Sequence, residues 1–259
     1  MYHRYRTIII NAKINLVQDS FEMDIIYLLE IQDEELTQKN KPPKTESISN
    51  EPGIIGSGSG FFVTADGHII TNNHVVEKCE KVFLNNETLE LIAKDPYNDL
   101  AILKSKIENN EFLYLKKTKI KKGEDVLVIG YPYGKDFGDQ SKITKGIVSS
   151  LQGLNNDYSR IQIDAAIQPG NSGGPTLDSE GNVMGVTVST ASVKAFLEIY
   201  NSIPQNMNFA IKSNVVEMML EANNINTPNK TNNSKKEASE IIKEADPAIV
   251  YLECYGNPQ

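Results

Sequence analysis

Positive charge is scarce in this chain of 259 residues: 26 Lys and Arg stand against 34 Asp and Glu, a formal net charge of −8. Nucleic acids and anionic membranes both reward clustered Lys and Arg, so neither is an expected partner. The one basic run, Lys116-Lys117-Thr118-Lys119-Ile120-Lys121-Lys122, reads as a solvated linker. Histidine and cysteine are sparser still. His3, His68, His74, Cys79 and Cys254 fall at no metal-ligand spacing, so no metal and no cofactor is expected. Two cysteines without an evident match agree with a reducing compartment. Long apolar runs are also missing, so no segment is expected to span a bilayer. Near the start, Thr7 to Ile10 is apolar but Asn11, Lys13 and Asn15 interrupt it, unlike a secretory leader. A cytoplasmic location is therefore expected, with a periplasmic or exported one if the true start lies elsewhere.

What the chain does have is short apolar runs between turn residues. Residues 60–63, 82–84, 100–103, 126–129, 146–149, 161–163 and 183–188 all read as strands, which predicts an all-β protein. With 39% hydrophobic residues the chain can bury a sizeable core. The most informative stretch is Gly170-Asn171-Ser172-Gly173-Gly174-Pro175, where a serine hydroxyl stands among glycines and their exposed amides. Gly170 to Gly174 also fits G-x-S-x-G, the nucleophile elbow of α/β-hydrolases. That fold needs its histidine after the serine, whereas all three histidines precede Ser172. The order left is His, then Asp, then Ser, as in chymotrypsin-like double barrels.

His74 follows the apolar run His68-Ile69-Ile70, where a strand ends, and is the candidate base. Asp99 is the candidate third member because Leu100-Ala101-Ile102-Leu103 follows at once and anchors it at the mouth of a buried strand. Asp95, beside Pro96, reads as a turn residue, and Asp164 is the remaining rival. His68 lies within a strand and reads as structural. Gly56 to Gly60 runs into Phe61-Phe62-Val63, a strand, so it reads as close-packed strand entry; a nucleotide loop would open a helix.

Four blocks carry a resemblance to a known family: Gly56 to Val76; Asp95 to Lys104; Gly130-Tyr131-Pro132-Tyr133-Gly134; and Asp164 to Pro175. Together they resemble the protease domain of the HtrA/DegP-like serine proteases, within the trypsin-like superfamily. The resemblance implies two six-stranded antiparallel β-barrels of the chymotrypsin type, with the active site between them and a short C-terminal helix. It also implies an N-terminal extension over 1–23, a protease domain over 24–222 (barrels near 24–117 and 123–222), and a polar linker and tail over 223–259. That tail is too short for the PDZ domain that often follows.

The same resemblance implies a serine endopeptidase acting on unfolded or flexible polypeptide. Ser172 would be the nucleophile, His74 the base and Asp99 its orienting partner. The turn Gly170, Asn171 and Ser172 would form the oxyanion hole, with the amides of Gly170 and Ser172 as donors. Ala166, Gln168, Thr187, Val188 and Ser189 would line the substrate site. Alanine at 166, where an acid would select Arg or Lys, implies cleavage after small to medium aliphatic residues. A homo-oligomer, trimeric by resemblance, is implied, and Asn171 before the serine argues against zymogen cleavage. The insertion Ser189 to Gln205 would gate the specificity pocket or form a surface loop. Alternative readings are a protease-like chaperone or peptide-binding protein, and an esterase with the same triad.

The tail itself is unusual. Ile241 to Glu253 resembles the segment with which such domains usually begin, and it echoes Asp24 to Glu30. It reads as the stump of a second copy, as a strand that docks on a neighbour, or as chance.

Overall fold

The computed structural model describes residues 53–188 and 206–257. The expected N-terminal extension, the segment 24–30 and the insertion Ser189 to Gln205 lie outside the described residues.

Two closed antiparallel barrels of six strands make up the fold. The first contains β1 (Gly53–Phe62), β2 (His68–Thr71), β3 (Lys81–Leu84), β4 (Glu87–Asp95), β5 (Leu100–Lys104) and β12 (Ile249–Gly256), in the spatial order β1-β12-β3-β4-β5-β2. The second contains β6 (Asp125–Gly130), β7 (Lys142–Ser150), β8 (Arg160–Ile163), β9 (Pro175–Leu177), β10 (Val183–Val188) and β11 (Asn208–Lys212), in the order β10-β11-β8-β7-β6-β9. Helix α1 (Asn73–Val76) follows β2, α2 (Ser213–Ala222) follows β11, and α3 (Ala238–Ala245) precedes β12.

Burial on both faces explains why the strands read as unbroken apolar runs. In β5, Ala101 and Leu103 fill the first barrel with Phe62, Ile69, Val250 and Leu252. Leu100 and Ile102 turn the other way, into a core shared by both barrels that includes Phe61, Ile70, Ile129, Leu177 and Val186. Val126, Val128, Ile161, Ile163 and Met184 fill the second barrel. The β3–β4 hairpin turns on Asn85 and Asn86, both at positive φ (47° and 70°), the backbone that a two-residue hairpin of right-handed twist demands.

The chain's last strand is the main departure from the sequence-based expectation. Residues 249–256, expected as part of a tail, close the first barrel: β12 pairs with β1 from Phe61↔Ile249 to Gly53↔Gly256 and with β3 on its other side. Ile249, Val250, Leu252 and Cys254 are buried. Helix α3 leads into it from a capping box in which Glu237 and Glu240 satisfy each other's end of the first turn. Cys254 is disulfide-bonded to Cys79, 175 residues earlier, so the expectation of two unmatched cysteines in a reducing environment is corrected. The physical reason is topological: pairing depends on which strands adjoin in the barrel, and sequence spacing does not report it.

The basic run is only partly solvated. Lys117, Lys119, Lys121 and Lys122 are exposed, but Lys116 is buried, 2.8 Å from the buried carboxylate of Asp178 and within 4 Å of Glu124 and Glu180. Burial by itself would lower the lysine pKa; the Asp178 hydrogen bond and the three surrounding carboxylates outweigh it and raise the pKa above the ordinary lysine value. A raised lysine pKa means the stabilisation is complete at neutral pH and is lost only as pH climbs through the folded-state value. Lys116→Met should leave Asp178 as a buried charge without its cation and destabilise the fold by about 3–5 kcal/mol in chemical denaturation. A loss below about 1 kcal/mol would show that the pair is solvated.

Candidate active site

His74 sits in the second position of α1, immediately past the end of β2. Asp99 precedes β5, the strand paired with β2, so strand pairing brings the two residues together. The Asp99 carboxylate bridges the histidine: Oδ1 accepts from the His74 backbone N–H at 2.9 Å and Oδ2 lies 2.8 Å from Nδ1. With Nδ1–H donated to a carboxylate, Nε2 is left as the basic nitrogen. Asp99 has φ +60°, an uncommon backbone for a residue other than glycine or asparagine, and Asn72 Nδ2 holds its carbonyl at 2.8 Å. Such a strained residue, fixed by its surroundings, is a feature often found at functional sites. His74 is 43% exposed and Asp99 17%, so the ring faces solvent while its partner is sheltered.

Ser172 is buried in the turn between β8 and β9. Two glycines make this turn possible. Gly173 has φ +85°, and a Cβ there would lie 2.2 Å from the Ser59 carbonyl and 2.3 Å from Thr71 Oγ1. The serine turn therefore presses directly on β1 and on the end of β2, three residues before His74. Gly170 has φ +100°, and a Cβ there would meet the Tyr131 carbonyl at 2.4 Å. The Pro169 carbonyl accepts from Tyr133 N–H at 2.7 Å. Because a trans peptide points its C=O and N–H in opposite directions, the Gly170 N–H is turned away from the Tyr133 segment. The amide of Asn171 is already used, donating to the Gln168 carbonyl at 3.0 Å. Asn171, expected in the oxyanion turn but not as one of its donors, closes that turn through its N–H.

Residues 58–186 match the family model described as "Trypsin-like peptidase domain". The chain contains a trypsin-like peptidase domain of the HtrA/DegP type. A probable periplasmic serine endoprotease, DegP-like, from Hahella chejuensis is 42% identical over 139 residues, 50% of this chain and 29% of that protein. An uncharacterised protein, y4bJ, of Sinorhizobium fredii is 34% identical over 226 residues, 84% of this chain and 36% of that protein. The chain thus spans about a third of the length of these relatives. Among solved structures, the HtrA-type protease AlgW with tripeptide is similar at 30% identity and a TM-score of 0.54, covering 64% of this chain and 55% of that one. The serine endoprotease of Yersinia pestis is similar at 28% identity and a TM-score of 0.52, covering 64% and 57%.

Other residues of the trypsin-like domain are also located. Ala166 and Gln168 are exposed on the segment leading to the serine turn, and Gln168 Oε1 accepts from the Tyr133 hydroxyl at 2.8 Å. Thr187 and Val188 end β10; Thr187 exchanges backbone bonds with Gly173 and Gly174 and so adjoins the serine turn. Ser189 lies outside the described residues. The rival Asp164 is occupied elsewhere: its Oδ1 accepts from Ile147 N–H at 2.6 Å, bridging β8 to β7. Asp95 caps a turn through the amides of Tyr97 and Asn98, as expected. His68 Nδ1 bonds Thr64 Oγ1 and Asp66 at the start of β2, a structural role. Among the described residues, no group of three or more His, Cys, Asp and Glu is placed to hold a metal, and no helix is long and apolar enough to cross a membrane.

Sequence reasoning missed Ser59, Thr71 and Asn72 as supports of the site. Thr71 and Asn72 were visible only as neighbours of His74, and Ser59 only as one serine in a glycine run.

Proposed function

We propose that this chain is a serine endopeptidase that cleaves unfolded or flexible polypeptides. The observation that carries the reading is the His74–Asp99 hydrogen-bonded pair on the first barrel, with the glycine-framed Ser172 turn packed on the end of β2, the strand that leads to that histidine. In the proposed mechanism Ser172 Oγ attacks the scissile carbonyl, while His74 Nε2 takes its proton and returns it to the leaving amine. Asp99 holds the ring and stabilises the imidazolium. The amides of Gly170 and Ser172 receive the developing oxyanion, each contributing about 3 kcal/mol to the transition state. The HtrA-type relatives support the same reading.

Specificity follows from charge. Ala166 offers no carboxylate, and Asp164 commits its Oδ1 to the Ile147 amide. Burying a substrate Arg or Lys without a partner costs several kcal/mol, whereas burying a Val- or Leu-sized side chain contributes about 1.5–3 kcal/mol. Casein, incubated with the protein and analysed by mass spectrometry of the released termini, should show cuts chiefly after Val, Ala, Leu and Ile. A majority of cuts after Arg or Lys would overturn the pocket assignment. Labelling of Ser172 by a fluorophosphonate tests nucleophile, base and oxyanion site together; a protein that binds casein but neither cleaves it nor takes the label would be a chaperone.

An exported compartment is part of the proposal. The Cys79–Cys254 disulfide favours oxidising surroundings, and DegP-like relatives carry periplasmic names. The cytoplasmic expectation lacks such support.

A further inference from the structure

Ser59 is fully buried in β1, on the first barrel, yet all its polar groups reach the machinery around the nucleophile. Its N–H donates to the Ser172 carbonyl at 2.9 Å. Its Oγ donates to the Gly170 carbonyl at 2.7 Å and accepts from the Tyr131 N–H at 2.9 Å. Its own carbonyl accepts from the buried hydroxyl of Thr71 at 2.7 Å. One residue thus holds the carbonyls on both sides of Asn171, and also fixes the segment whose Tyr133 N–H holds the Pro169 carbonyl.

We propose that Ser59 is the positioning residue that keeps the Gly170 amide turned into the oxyanion site. The inference rests on the reading of Gly170 as an oxyanion donor and adds what orients it. Glycine has no side chain to restrict its own dihedrals, so the direction of the Gly170 N–H is set by what grips the peptide planes on either side. The plane before it is held by Tyr133, and the plane after it by the Ser59 hydroxyl on its carbonyl and by the Gln168 carbonyl on the Asn171 N–H. Without that hydroxyl, Gly170 O and Tyr131 N–H both lose their partner, and the second plane is left with only the Asn171 N–H bond to the Gln168 carbonyl, on the opposite edge. A Cβ at Gly130 would stand 2.7 Å from Ser59 Oγ and one at Gly174 3.2 Å from Ser59 Cβ, so both glycines lie close against Ser59.

The test is Ser59→Ala, assayed on the full chain with a peptide substrate, a peptide boronate that forms a tetrahedral adduct, and an uncleaved product peptide. With one oxyanion donor misdirected, kcat should fall about 10- to 100-fold and KM should stay within about twofold. Boronate affinity should fall in parallel with kcat, and product-peptide affinity should not change. Unchanged kcat in folded Ser59→Ala overturns the proposal, as does a loss of activity that disappears when rates are expressed per folded molecule. If Ser59→Ala does not fold, Ser59→Cys carries the test: a weaker donor in the same place should give the same split at smaller size, and wild-type kcat would overturn it. Ser172→Ala is the control that separates the two claims. Turnover by Ser172→Ala defeats the endopeptidase reading itself, whereas an inactive Ser172→Ala beside a fully active Ser59→Ala defeats only the role of Ser59.

Discussion

Replacing Ser172 by alanine is expected to lower kcat by about six orders of magnitude, to a residue of activity from binding and the oxyanion site alone. His74→Ala should fall as far, because an unactivated hydroxyl is a poor nucleophile at neutral pH. Asp99→Asn should lose about four orders, since an amide at the position 2.8 Å from Nδ1 favours the wrong tautomer. The losses should not add: a residue that acts only through the others contributes nothing once one is gone. Each variant should melt at nearly the wild-type temperature, because the His74 ring is partly exposed and Ser172→Ala removes only one oxygen. Steady-state kinetics on a peptide substrate, with circular dichroism as the check on folding, decides it. Retention of more than about 1% of activity in Ser172→Ala would remove the serine from the mechanism.

Deleting residues 238–259 should abolish the fold. The deleted segment carries Ile241, Ile249, Val250 and Leu252 into the core. At about 1.5–3 kcal/mol each, their burial contributes roughly 6–12 kcal/mol, comparable to the whole stability of a typical domain. The deletion would also leave β1 and β3 with unpaired edges, which promote aggregation. The expected product is insoluble or melts without cooperativity. Cys79→Ser is the milder version. A disulfide closing a loop of 175 residues can stabilise by up to about 5 kcal/mol in the chain-entropy account, so the melting temperature should fall by on the order of 10 °C. Dithiothreitol should lower the wild-type melting temperature similarly and leave Cys79→Ser unchanged. A truncated chain that melts cooperatively at the wild-type temperature would mean that β12 is dispensable.

These two experiments probe opposite ends of what the sequence made legible. Apolar runs such as Leu100-Ala101-Ile102-Leu103 announce strands because barrel strands near the interface are buried on both faces. The β4 strand gave no such signal: Glu90, Leu91 and Ile92 are all exposed in succession, around a register shift between Leu91 and Ala93. His74 and Asp99 could be read because each adjoins a clear strand, and their pairing then follows from β2 beside β5. By contrast, β12 follows a polar linker, and nothing local says that its neighbours are strands made nearly two hundred residues earlier. Lys116 was hidden in another way, since a lysine among lysines looks solvated until Asp178 is brought beneath it.

The position of β12 in the chain also sets a timetable. Cys254 emerges from the ribosome 175 residues after Cys79, which at about 5–20 residues per second is a delay of roughly 10–35 s. Throughout that interval the first barrel has five strands at most, and β1, the strand that carries Ser59, lacks its main partner. The oxyanion turn then has no settled surface to rest on. A chain of this design is expected to reach its proposed activity only after β12 has joined β1 and β3.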